Sequence, residues 1–243
     1  MAEMNQGSYG QNLRAGGAQG MDYTVDMVFV IDGTGSMEDM SGSQMKIINM
    51  VKQNAVNFYS DFDGIMNRKG KKVRQLRVRV VVFRDYLADG GDAMMVTDFF
   101  MLPQQAAEFE ACIQSIHADG GGDIPEDGLE ALAYAIKSKW VPVTAKGRQV
   151  IVVWTDAGTH DIGYGASSPY YPKGMPQDLS QLSDWWDDMN SNAKRLILFA
   201  PDENGWSYIS QNWDNTIHIP SAAGNGLAEK SYGEILNAIV NSV

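Results

Sequence analysis

Two short runs, "TVDMVFVID" (residues 24–32) and "RQVIVVWTD" (residues 148–156), constrain the fold most. Both are β-branched and apolar at successive positions, so neither face of the strand is built to meet water. Strands of that kind are buried on both sides, which is the habit of a parallel sheet covered by helices. Each run stops at an acid. Between and after them the pattern alternates. "MEDMSGSQMKIINMVKQNAVNFYSDF" has helical spacing, with Met45, Ile48, Val51, Val56 and Phe58 on its apolar side. "VRQLRVRVVVFRDY" is a long strand, and "AMMVTDFFML" fits one edge strand. "PQQAAEFEACIQSI" and "PEDGLEALAYAIKSKW" are helices opened by proline. "KRLILFAP" and "NTIHIPSA" are buried strands, and "SYGEILNAIVNSV" is a closing helix. Alternating elements of this sort predict an α/β fold, doubly wound, with a mostly parallel sheet flanked by helices and one antiparallel edge strand.

The length of 243 residues fits one domain over 23–243, and the Gly-, Gln- and Asn-rich residues 1–22 are read as a flexible arm. A formal net charge of −11 excludes a general nucleic-acid binder, which needs a basic face. No apolar run reaches the roughly 18–20 residues of a membrane span. The arm contains no apolar leader, and Cys112 is the single cysteine, which rules out an internal disulfide. These features set the expectation of a soluble, cytoplasmic protein.

In an open α/β sheet, ligands gather beyond the carboxyl ends of the strands. Three acidic loops point there: "DGTGS" with Asp32, Thr34 and Ser36, "GGGDIPED" with Asp123, and "WTDAGTH" with Asp156. Like charges held together need a cation, and carboxylates with hydroxyls suit a hard one, Mg²⁺ first, then Mn²⁺ or Ca²⁺. The alternate spacing of Asp32, Thr34 and Ser36 lets one tight turn present three oxygens to one ion.

"VFVIDGTGSM" resembles the Asp-x-Ser/Thr-x-Ser metal-ion-dependent adhesion site of von Willebrand factor type A (VWA) domains, with Asp32, Thr34 and Ser36 in the motif places. "GGGDIPED" and "WTDAGTH" resemble that family's second and third loops. "FRDY" and "TDAGTHD…YPKGMPQDL" are most similar to its intracellular branch associated with alpha-kinases. The resemblance implies a Rossmann-like VWA fold and a metal set of Asp32, Thr34, Ser36, Asp123 and Asp156. It also implies a protein partner supplying an acidic side chain to the ion. One departure stands out: many members place threonine where this chain has Asp123.

Asp32 could cap the following helix, Glu126 and Asp127 suit a first helical turn, and Arg84 with Asp85 suit a structural ion pair. His218 fits the core and His160 a contact near the site. Neither a phosphate loop nor G-x-G-x-x-G matches "GTGSMEDMSG", since no lysine is in place and Glu38 stands where the third glycine belongs. The stretch from Thr159 to Met189 concentrates aromatics; Tyr164, Tyr170, Tyr171 and His160 are the expected partner-binding residues, and Trp185 or Trp186 the packing ones. The expectation is a non-enzymatic, metal-dependent adaptor, with a metal-dependent phosphohydrolase as the alternative.

Overall fold

The computed structural model describes residues 21–39, 45–122, 124–143, 146–203, 205–221 and 232–243. Along the chain run β1 (Met21–Asp32), α1 (Ile47–Arg68), β2 (Lys71–Phe83), β3 (Met94–Val96), β4 (Phe100–Leu102), α2 (Ala106–Ser115) and α3 (Gly128–Ile136). They are followed by β5 (Gly147–Trp154), α4 (Leu179–Asp187), β6 (Lys194–Pro201), α5 (Trp206–Asn212), β7 (Thr216–Ser221) and α6 (Tyr232–Ser242). The strands form one sheet in the order β3-β2-β1-β5-β6-β7, with β4 also on β2. β2, β1, β5, β6 and β7 are mutually parallel; β3 and β4 run antiparallel to β2. β1 begins at Met21, two residues inside the segment read as an arm, and the rest of that arm lies outside the described residues.

The side-chain period of two divides the core into two layers. Val25, Met27, Phe29 and Ile31 of β1 pack with α1, α2 and α6 on one face. Val28 and Val30 pack with α3, α4 and α5 on the other. Strand β2 makes the same transition along its length, alternating over its first half and buried over its last residues. Phe29 anchors the first layer, its ring 5.5 Å from Phe58 and 4.9 Å from Trp154. In the second layer Trp186 is fully buried and stacks on Trp213 at 5.4 Å, while Trp185 is only partly covered.

Three sequence expectations change. The single edge strand is split in two, because at Thr97 a side chain enters the ladder: its hydroxyl accepts the Val80 N–H at 3.0 Å. Met45 precedes α1 and is exposed, since helical hydrogen bonding begins two residues later. His218 is not core; it sits half-covered on edge strand β7, its Nε2 3.0 Å from the Ala200 carbonyl. No helix among the described residues is long and apolar enough to cross a membrane.

Candidate functional site

Parallel register carries the site. Asp32 closes β1 opposite Phe83, and Ile31 pairs with Trp154, so the residues after Trp154 emerge beside Asp32 at the same rim. Thr155 donates its hydroxyl to Asp32 Oδ2 at 2.6 Å. Asp32 Oδ1 accepts both the Thr34 N–H at 2.9 Å and the Thr34 hydroxyl at 2.6 Å. Thr34 Oγ1 lies 3.2 Å from Ser36 Oγ, which in turn donates to Asp156 Oδ1 at 3.0 Å. An unbroken chain of oxygens thus joins Asp32 to Asp156 through two hydroxyls.

The glycine loop is stitched to this turn. Gly35 N donates to Gly120 O at 3.1 Å, and Asp119 N donates to Gly33 O at 3.0 Å. Arg84 reinforces the seam by donating to the carbonyls of Gly33, Asp119 and His117 and by pairing with the Asp119 carboxylate at 3.0 Å. It therefore does not pair with Asp85, which instead lies 3.3 Å from His160 Nε2. Gly120 and Gly121 both have positive φ, and a Cβ on Gly121 would sit 2.7 Å from Glu126 Oε1, so only glycine brings the loop this close. Asp123 itself lies outside the described residues.

Burial weakens the acids of the rim. It pushes the Asp32 carboxyl up, against the hydrogen bonds from Thr155 and Thr34. It pushes Asp156 up to about 6, with the neighbouring Asp32 charge adding to the effect. Asp156 Oδ2 is buried with no hydrogen-bond partner, an orphaned acceptor of the sort a cation or a water satisfies. Two carboxylates, one of them carrying that orphan, and two hydroxyls are suited to a hard divalent ion. Among the described residues, however, no group of three or more His, Cys, Asp or Glu side chains is gathered as a metal centre. The expected three-carboxylate set is thus not displayed: Asp32 and Asp156 meet, and the third member falls at an undescribed position.

A second acidic group escaped the sequence reading. Glu126 and Asp127 do stand at the start of α3 as first-turn acids would, but both are buried, and so is Glu130 within the helix. Asp127 Oδ2 accepts the Tyr86 N–H at 2.7 Å; Glu130 Oε1 accepts the Gly163 N–H at 2.8 Å and the Tyr171 hydroxyl at 2.9 Å. Glu130 thereby straps the aromatic loop down, while Asp127 holds the loop that carries Tyr86. Tyr171 is therefore half-buried structure, and His160 is buried beneath Tyr164, their rings stacked 3.8 Å apart. Of the four residues expected to face a partner, only Tyr164 and Tyr170 are exposed; Tyr170 lines one cavity with exposed Leu87. The signal available in sequence was the paired acids of "PEDGLE" entering an otherwise apolar helix.

The strap has little slack. Gly165 is buried in the turn Tyr164–Ser167, and a Cβ there would lie 2.7 Å from Tyr86 Cβ and 3.3 Å from Asp127 Oδ2. Gly165→Ala is expected to cost about 1–3 kcal/mol in urea unfolding through overpacking. An unchanged midpoint would show that the loop is not seated as described.

Together the fold and the rim define a mixed α/β protein with a mostly parallel sheet and an oxygen-lined edge beside exposed aromatics. No family model matches the chain, and no curated protein matches it. Among solved structures it is similar to the PilB minor pilin from Streptococcus sanguinis, with a TM-score of 0.59 and 16% identity over 92% of this chain and 63% of the pilin. It is similar also to the pilus adhesin SpaC from Lactobacillus rhamnosus GG, with a TM-score of 0.51 and 14% identity over 90% of this chain and 31% of the adhesin. The chain thus spans less than two thirds of either protein, and at these identities the likeness is one of fold.

These neighbours correct the reading of the sequence. The chain was expected to be a VWA domain of the intracellular alpha-kinase-associated branch; the comparisons return a minor pilin and a pilus adhesin instead, and no family model supports that assignment. The metal-dependent cytoplasmic adaptor built on it falls with it, as does the cytoplasmic location, because the neighbours are components of pili. The physical reason is that a short oxygen-bearing turn at a strand end does not by itself define a family, and one cysteine in an acidic chain does not report a compartment.

Proposed function

We propose that this chain is an adhesion-type domain of a surface appendage, non-enzymatic, meeting a protein partner at the carboxyl rim. The observation that carries the reading is the likeness to a pilin over 92% of the chain, joined by a likeness to a pilus adhesin. The topology supports a doubly wound sheet: the chain order reverses between β1 and β5, and that reversal is where such sheets form binding crevices. Exposed Tyr164, Tyr170, Leu87 and Ile124 beside the rim supply apolar contact area, as interface centres require. His160, tied to Asp85 and covered by Tyr164, is poorly disposed as a general base, which favours binding over hydrolysis.

The cofactor in this reading is Mg²⁺, with Mn²⁺ or Ca²⁺ as substitutes, held by Asp32, Thr34, Ser36 and Asp156. The ion would supply fixed positive charge to a rim whose buried carboxylates otherwise repel. The test is location. Antibodies raised against the domain should label intact, unpermeabilised source cells, and external protease should remove the label. Labelling confined to permeabilised cells would overturn the proposal.

A further inference from the structure

The opposite, amino-terminal edge of the sheet holds a cluster that the carboxyl rim does not use. In the register of β5 and β6, Val150 lies opposite Arg195, and Arg148 precedes Val150 by two residues. Equal parity sends both arginines to the face that α6 covers. Each guanidinium is held the same way. Arg148 Nε donates to Val243 O at 3.1 Å and its Nη1 to Gly147 O at 2.9 Å; Arg195 Nε donates to Ser242 O at 3.1 Å and its Nη1 to Lys194 O at 2.6 Å.

Two of these four bonds cap the end of α6, and the other two go to the carbonyl of the residue before each arginine. Among the described residues no Asp or Glu side chain forms an ion pair with either guanidinium, and both open onto a cavity of about 640 Å³ lined also by Asn190, Ser191, Asn192 and Asn215. The two cations are close enough to oppose each other: burial first, then the charge of Arg148, holds Arg195 below the usual arginine range, while Asp214 acts in the other direction. Lys71 is lowered by burial, Lys69 and the same Arg148. In a chain with net charge −11, cations are gathered here at a cost that an anion would offset.

We propose that Arg148 and Arg195 form an oxyanion site at the amino-terminal edge, taking a phosphate or sulfate group between their forks, with Ser191 and Asn192 as neutral donors. Planar guanidinium forks match tetrahedral oxyanions in geometry as well as in charge. The group could arrive as the free ion or as an ester on an acidic saccharide, and the chemistry recognised is the same.

Calorimetric titration of the full chain tests this, with sodium phosphate, sodium sulfate and a sulfated disaccharide, at ionic strength matched with sodium chloride. Phosphate and sulfate are expected to bind, and Arg195→Gln and Arg148→Gln each to weaken binding at least about tenfold. Because those variants also loosen α6, Asn192→Asp provides a second arm: it places negative charge at the exposed lip without touching the helix. It is expected to weaken binding by about tenfold as well. A disaccharide that binds more tightly than sulfate identifies the ester as the source; equal affinity identifies the free ion. No heat beyond the chloride control, or affinity unchanged in both Arg195→Gln and Asn192→Asp, overturns the site.

Discussion

Arg77→Ala is expected to lower the free energy of unfolding by about 3–5 kcal/mol, because it strands a buried carboxylate. Asp26 is 2% exposed in the middle of β1 and lies opposite Arg77 of β2. Arg77 Nε donates to Asp26 Oδ1 at 2.8 Å and Nη2 to Oδ2 at 2.6 Å, and the Val141 N–H completes Oδ2 at 2.7 Å. The guanidinium is boxed in by the Phe99 ring, 4.3 Å away, so water cannot readily replace it. The loss is a penalty for orphaning one partner, not a measure of what the pair adds over apolar residues. Asp26→Val combined with Arg77→Val should accordingly recover most of the stability. Urea unfolding of the two single variants and the double decides; a loss under about 1 kcal/mol for Arg77→Ala would place the pair among weak surface bridges.

The second expectation concerns pH. Burial, with Asp32 and other acids adding to it, pushes Glu126 from 4.5 up to about 9, and burial pushes Asp127 from 3.8 to about 7. The folded state holds these protons more tightly than the unfolded chain, so the stability they contribute is complete below about pH 4 and is lost as pH rises through 7 and 9. Without divalent ions, the melting temperature should fall steadily from mildly acid to alkaline pH. Glu126→Gln should flatten that slope and stabilise the protein at pH 8–9 by on the order of 1–2 kcal/mol, since Oε2 has no partner to compensate its charge. Mg²⁺ should act in the opposite sense, favouring ionised Asp32 and Asp156, and its effect should grow with pH. At a hundredfold excess over its Kd the gain would be about 2.7 kcal/mol. Asp156→Asn should abolish the Mg²⁺ response while keeping the slope from Glu126. A melting temperature that rises with pH in chelator would contradict the buried-acid account.

Binary pattern carried most of the architecture. "TVDMVFVID" and "RQVIVVWTD" suit a parallel sheet buried on both faces, and that is where β1 and β5 lie, adjacent and covered on both sides. Adjacency of the two strands also brought Asp32 within reach of Thr155 and Asp156, a pairing legible from the shared strand-then-acid design. Less was legible where a residue's role depends on what approaches it from another segment. Tyr171 and Tyr170 are neighbours in an aromatic loop, yet one is tied to buried Glu130 and the other faces water. Arg84 and Asp85 are consecutive charges that bond elsewhere, one to loop carbonyls and one toward His160.

From sequence alone, then, came the sheet, its helices and the oxygen-bearing turn after β1, because strand burial and local spacing are short-range properties of the chain. Only the tertiary structure decided which acids are buried, which aromatics are exposed, and that two arginines of adjacent strands converge under α6. Those outcomes depend on register and on packing between distant segments, which set desolvation and charge proximity and leave little trace in local pattern.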